Sequence, residues 1–353
     1  MRSIPRSIVI ALVRRPLRGE ITRRGLCTWF GLSFVALAAA SCSRESGAAR
    51  SSSSSSSISA TLPDGSTFEL AAPPRRVVPA NTAAAEFVAL LLGPERLAGL
   101  PEQVDDYSSF DFKSRGFENV ARFPRYAAEP LIVLHPDLVV THAWQAAETT
   151  AVLRSEGTPV LVLKSAASYD DIRATVLSCA HLFDLDAKGA SVVADLDRRV
   201  ASLHERTEHD ARTNGGARWR ALVYSNDGSG GWAAGSATTA DTLLHLAGLT
   251  NAAAEAGVKG HAGVDFEKLI AIDPDVIVVG MPVHGESGSA TKAVLESAPA
   301  LAELRAIKNH RIAALPGALL ASDSPCLIDG AEALAREIDR LRGAPDANGS
   351  KKP

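Results

Sequence analysis

Residues 129–140 read EPLIVLHPDLVV and residues 267–278 read EKLIAIDPDVIV. The two stretches lie 138 positions apart throughout, and Glu, Leu, Ile, Pro, Asp and the last Val coincide. Each copy predicts a short amphipathic helix, a Pro-Asp turn that ends it, and an apolar strand. Proline cannot continue a helix and aspartate favours the turn, while a Leu/Val/Ile run without alternation suits a parallel strand buried on both faces. A unit that occurs twice, far apart, implies two lobes of like architecture rather than a solenoid.

The remaining pattern agrees with two lobes. Strands are expected near 75–79, 97–100, 158–163, 220–224 and 311–315, alternating with helices near 81–92, 145–156, 169–183, 239–247 and 327–341. Such alternation implies right-handed crossovers and parallel sheets. Between the lobes, Val193, Leu196, Val200 and Leu203 recur at helical spacing among charged residues in a stretch free of proline. A single rigid helix joining the lobes is expected there. The expected organisation is a signal segment over 1–41, a lipidated Cys with a Ser-rich tether over 42–72, a first lobe over 73–186, a connecting helix over 187–213, a second lobe over 214–342 and a disordered tail over 343–353. The fold class is α/β: two parallel-sheet sandwich lobes, one long α-helix and a ligand cleft between the lobes.

The N-terminus carries the address. Arg23 and Arg24 precede an apolar run from Leu26 to Ala40, shorter than the ~20 residues a membrane span needs. Ala39-Ala40-Ser41-Cys42 resembles a lipobox, which would place the lipid on Cys42. Residues 22–26, TRRGL, resemble a twin-arginine export signal, and an ordinary basic leader fits them equally. The run SSSSSSS from Ser51 has too little apolar surface to fold and suits a tether. The formal charge of the chain is −3, yet seven arginines and one glutamate fall within residues 1–41, so the body is more acidic still. That excludes nucleic acid as the expected partner. Of four cysteines, only Cys179 and Cys326 lie in the folded lobes, one in each, so buried free thiols are expected rather than a disulfide framework.

With VPANT at 78–82, both Pro-Asp strands with their preceding glutamates, and AGSATTADTLLHLAGLTNAA at 234–253, the chain resembles the substrate-binding proteins of iron-chelate and vitamin B12 ABC importers. The resemblance covers about residues 75–342. It implies a monomer that is not an enzyme, exported to the periplasmic or cell-surface side and anchored to the membrane only by the lipid on Cys42, with an ABC permease dimer as partner. It places Glu148 and Glu267 as the carboxylates that dock the two lobes onto permease arginines. It places Trp232 as a pocket aromatic, and puts His142 and His261 where the vitamin B12 binder presents tryptophans across the cleft.

An imidazole has a lone pair that indole lacks, so His142 and His261 are candidate ligands to the metal of a bound chelate; hydrogen bonding to a polar ligand is the other reading. Asn81, Arg125, Tyr126 and Trp144 complete the candidate ligand-binding set. Arg122 and Arg125 suit ligand carboxylates. No cofactor is expected beyond iron or cobalt carried by the transported ligand. The expected ligand is an iron-siderophore complex or haem first, a corrinoid second and a bare divalent ion such as zinc or manganese third. A chelatase-like enzyme is a further alternative. The glycine-rich stretch GSGGWAAGS lacks the Lys-Ser/Thr ending of a phosphate loop and is expected to form a turn.

Overall fold

In the computed structural model, the residues described are 57–213, 218–228, 230–282, 289–320 and 322–343. The signal segment, Cys42, the Ser-rich run and the tail beyond Gly343 lie outside them. The described residues fall within one compact unit.

Both repeats fold as predicted, and the structure explains their matching residues. The first gives a helix at Ala128–Ile132 and a strand at Leu138–His142, the second a helix at Phe266–Ile272 and a strand at Val276–Met281. Asp137 accepts hydrogen bonds from the backbone N–H groups of Arg75 and Arg76, just ahead of strand Val77–Pro79. Asp275 accepts from the N–H of Arg220, at the start of strand Arg220–Asn226. Each aspartate therefore fastens the neighbouring parallel strand in register. The correspondence extends to the helix ends. Arg76 donates to the carbonyls of Leu134 and His135, and Arg220 to those of Ile272 and Asp273, the repeat-equivalent positions. His135 and Asp273 share the left-handed backbone (φ 47° and 43°) that turns the chain into the Pro-Asp step.

The first lobe holds a parallel sheet of three strands, Val77–Pro79, Leu138–His142 and Val160–Leu163, with Leu138–His142 in the middle. Its centre, Leu138, Val139 and Val140, is fully buried, which is why the sequence shows no alternation there. A short parallel pair, Leu100–Pro101 with Arg122–Phe123, lies beside it. In the second lobe, strand Val276–Met281 sits between Arg220–Asn226 and Ile312–Pro316, all parallel. Here the glycine-rich stretch departs from the expected turn. Gly231–Ala234 is a strand that returns antiparallel to Arg220–Asn226, and His261–Gly263 adds a further antiparallel strand at the edge. Gly231 permits the close return: a Cβ there would meet the Tyr224 hydroxyl and the Val264 carbonyl.

The connecting helix spans Asp186–Thr213, 28 residues, about 42 Å at 1.5 Å per residue. Val193, Leu196, Val200 and Leu203 are its buried stripe, in one core cluster with Val77 of the first lobe and Leu243 of the second. Its polar residues clasp both lobes. Asp197 accepts from the Tyr169 hydroxyl at 2.7 Å and pairs with Arg173 on the first-lobe side. Arg199 pairs with Asp329 and Glu332 on the final helix, Leu327–Gly343.

One expectation is corrected at the start of the fold. The tether was expected to run to residue 72, but Ile58–Thr61 and Thr67–Leu70 form an antiparallel hairpin. Its turn holds Gly65 at φ 80° and is closed by Asp64, which accepts from both the backbone and the hydroxyl of Ser66. These bonds hold the Asp64 carboxyl at about 2. Ala60, Leu62 and Leu70 enter the main core, and Ser178 donates to the Thr61 carbonyl. Apolar residues at alternate positions around a Pro-Asp-Gly turn were the available signal, and the serine run beside it obscured them. Cys179 and Cys326 are free, buried thiols, and burial pushes the Cys179 thiol up to about 12.

Where the lobes meet, helix Thr82–Leu91 turns Glu86 into the interior, 1% exposed. Its Oε1 accepts from Ser108 at 2.5 Å, and its Oε2 accepts from Ser322 at 2.9 Å and from Ser324. Burial raises this carboxyl above its usual range, the three hydroxyl donors partly oppose that, and Asp329 raises it further.

Candidate functional site

Parallel α/β sheets bind ligands at the carboxyl ends of their strands, and the residues of interest gather there in both lobes. In the second lobe, Trp232 sits on Gly231–Ala234, and His261 is the register partner of Ala234 on the adjoining strand. Trp232 and Ala234 share a strand face, so Trp232 and His261 point the same way. They line a cavity of about 400 Å³ with Tyr224, Thr239, Thr291 and Leu320. A second cavity of about 400 Å³ shares Trp232 and Thr291 and adds Asn226, Asp227, Met281 and Ser289. Thr291 ties this wall together: its hydroxyl accepts from the Asn226 N–H at 2.9 Å and donates to the Asn226 carbonyl.

In the first lobe, Trp144 follows strand Leu138–His142 and is 59% exposed, matching Trp232 at 56%. Each lobe thus presents one open indole. His142 is not presented in the same way. It is 1% exposed, both ring nitrogens lack partners, and Trp144 stacks over it with ring centroids 5.8 Å apart at 22°. Burial depresses its basicity, and Asp323 opposes that effect, so the imidazole is held neutral. His142 is therefore not a lining residue of either cavity that Trp232 lines. The cause is its position as the last residue of a central strand, with the tryptophan two residues on folding back across it. Facing histidines over an open cleft are met by His261 alone.

The other candidates divide similarly. Asn81 is 7% exposed and caps helix Thr82–Leu91, its Oδ1 accepting from the Ala84 N–H at 2.9 Å, while its Nδ2 is unpartnered. The Tyr126 hydroxyl is 2.9 Å from that of Thr150, so it braces helix Ala147–Ser155 rather than standing free. Arg125 is exposed. Arg122 is committed to structure: it pairs with Asp105 at 3.1 Å and donates to the carbonyls of Phe117 and Val120. Glu148 and Glu267 are exposed, each in the first turn of its helix. Two polar residues near the site were missed from the sequence, Thr141 and Asp323. Thr141 is 0% exposed with an unpartnered hydroxyl, and Asp323 accepts from the Ala166 N–H at 2.9 Å. An aspartate that arrives at the first-lobe sheet from 157 residues away leaves no local signal. Among the described residues, no group of three or more His, Cys, Asp and Glu is arranged to hold a metal ion.

Comparison with known proteins places this geometry. The family model described as "Periplasmic binding protein" matches residues 104–319. An uncharacterized ABC transporter substrate-binding lipoprotein, YvrC of Bacillus subtilis, is 24% identical over 213 residues, 60% of this chain and 64% of its own. A cobalamin-binding protein of Halobacterium salinarum (strain ATCC 29341 / DSM 671 / R1) is 26% identical over 170 residues, 48% of this chain and 44% of its own. The chain thus spans less than two thirds of the length of these curated relatives. The periplasmic heme-binding protein RhuT from Roseiflexus sp. RS-1, in apo form, superposes with a TM-score of 0.64 at 22% identity, covering 76% of this chain and 98% of that one.

Proposed function

Because the chain belongs to the periplasmic binding protein family, we propose that it is an extracytoplasmic lipoprotein that captures a metal chelate and delivers it to an ABC importer permease. The observation that carries this reading is the pair of open indoles, Trp144 and Trp232, one at the strand ends of each lobe. Flat aromatic faces suit a large planar or ring-rich ligand, and the cavities beside Trp232 offer room on one side. The names of relatives support the same class: one is an ABC transporter substrate-binding lipoprotein, one binds cobalamin and one binds heme. Within that class, His261 is the histidine open to a metal centre, and His142 reaches one only if Trp144 swings aside.

Purification from the host, followed by a visible spectrum and metal analysis, tests the ligand class. A bound chelate is expected to give a charge-transfer, Soret or corrin band with stoichiometric iron or cobalt. For haem, the Soret band should shift in His261→Ala and stay in place in His142→Ala. A colourless protein that binds no chelate offered to it sinks the reading. The lipid is tested separately. Cys42→Ala is expected to move the protein from the membrane to the soluble fraction, and retention in the membrane would mean that the leader remains as an anchor.

A further inference from the structure

Unpartnered buried polar atoms concentrate at one place in this fold. Among the described residues they are Asn81 Nδ2, Thr141 Oγ1, both ring nitrogens of His142, and Arg173 Nε. The last lies 2.8 Å from the Asp197 carboxylate, which leaves four atoms. All four sit at the carboxyl ends of two paired strands, Val77–Pro79 and Leu138–His142. Native proteins rarely leave such groups unbonded, so several together mark a place where a ligand or water belongs.

Strand geometry sorts them. Thr141 and His142 are consecutive, so their side chains leave opposite faces of the sheet. Leu138 and Val140 pack in the main core with Ala84, Phe87 and Val88 of helix Thr82–Leu91, whereas Val139 packs in a separate cluster with Leu153. His142 continues the face of Leu138 and Val140, the face that carries helix Thr82–Leu91 and its cap Asn81. Asp323 arrives at the same end of the sheet. It is anchored to the N–H of Ala166, three residues beyond Leu163, and Leu163 is the register partner of His142.

We propose that Asn81, His142 and Asp323 form a polar subsite at the base of the cleft that takes a carboxamide group of the bound chelate. This inference rests on the chelate-binding role proposed above and narrows it. The donor set decides the chemistry. Asn81 Oδ1 is committed to the helix cap, so Nδ2 is the free end and can only donate. A neutral imidazole offers one N–H and one lone pair, and an ionised carboxylate only accepts. A carboxamide answers all three: its oxygen accepts from Asn81 and from the imidazole N–H, and its N–H donates toward Asp323. A ligand carboxylate has no proton to give and would face the Asp323 carboxylate with no donor between them. Trp144, stacked on His142 and more than half exposed, is the side chain that must rotate to admit the group.

Asn81→Asp removes the donor while keeping the capping oxygen, because it converts Nδ2 into a second, charged acceptor. The full chain, wild type and variant, is titrated with cyanocobalamin and ferrioxamine B as carboxamide-bearing probes and with haemin as the carboxylate-bearing comparator, following tryptophan fluorescence. Wild type is expected to bind at least one carboxamide probe more tightly than haemin. Asn81→Asp should weaken that probe about tenfold or more and weaken haemin less, and His142→Phe, which keeps the stack on Trp144, should weaken the same probe. Unchanged carboxamide affinity in Asn81→Asp overturns the subsite and means that these atoms hold water only. Binding of haemin alone to wild type also overturns it while sparing the broader reading. A wild-type protein that binds none of the three probes overturns both.

Discussion

Glu86→Ala is expected to destabilise the protein by about 3–5 kcal/mol in urea denaturation, from the orphaned hydroxyl donors of three serines and the cavity left behind. The side chain is buried, and it joins the first-lobe helix to Ser108 and to Ser322 and Ser324 of the segment that leads into the last helix. Ser108 and Ser324 cannot simply turn away, because each also accepts a backbone N–H, from Phe110 and Cys326 respectively. Glu86→Gln keeps the shape and one carbonyl acceptor and should cost far less. The pair of variants also carries a pH signature. Burial raises the folded-state pKa of Glu86 above its usual 4.5, with the Asp329 carboxylate adding to that. The resulting stabilisation is complete below about 4.5 and is lost as pH rises through the raised value. Wild type should therefore lose stability relative to Glu86→Gln across that window, with the two curves parallel beyond it. A cost under about 1 kcal/mol for Glu86→Ala would mean that the lobes do not depend on this contact.

This junction was invisible in the sequence for the same reason that it matters. Glu86 lies in a helix whose cap, Asn81, and apolar periodicity were plain, but its partners are 22, 236 and 238 residues away. Local pattern predicts what local physics determines. The buried strands Leu138–His142 and Val276–Met281, the proline-aspartate steps before them and the buried stripe of the connecting helix all follow from side-chain type and spacing. The hairpin at Ile58–Leu70 was in principle available from its Pro-Asp-Gly turn, but a run of serines just before it pointed to tether. The antiparallel edge at Gly231–Ala234 was harder, since glycines that permit a close strand return look the same as glycines in a loop. At the site, the type of residue was legible and its exposure was not. His142 and His261 look alike as candidates, yet the first ends a central strand beneath Trp144 and the second lies on an edge strand open to the cavity. Arg122 and Arg125 differ likewise, because the guanidinium of Arg122 is taken by Asp105 and two carbonyls.

Reversing both Glu148 and Glu267 to Arg is expected to abolish the uptake proposed above while leaving ligand affinity close to that of wild type. The two glutamates occupy comparable settings on the two lobes. Each is exposed in the first turn of a helix, and among the described residues neither has an ion-pair partner. Each also stands beside an exposed aliphatic on the same helix face: Val152 four residues after Glu148, 44% exposed, and Ile270 three residues after Glu267, 46% exposed. A charge flanked by an apolar contact, repeated once per lobe, would suit the proposed two-point docking. Juxtaposing like charges at such a surface costs several kcal/mol, so one reversal should reduce uptake and two should eliminate it. Val152→Asp and Ile270→Asp should each reduce uptake less than either charge reversal. The measurement is transport of the labelled chelate in cells expressing the permease, paired with fluorescence titration of each purified variant. Normal uptake by the double reversal at normal expression would remove both residues from docking, and loss of ligand affinity instead would place them in the pocket.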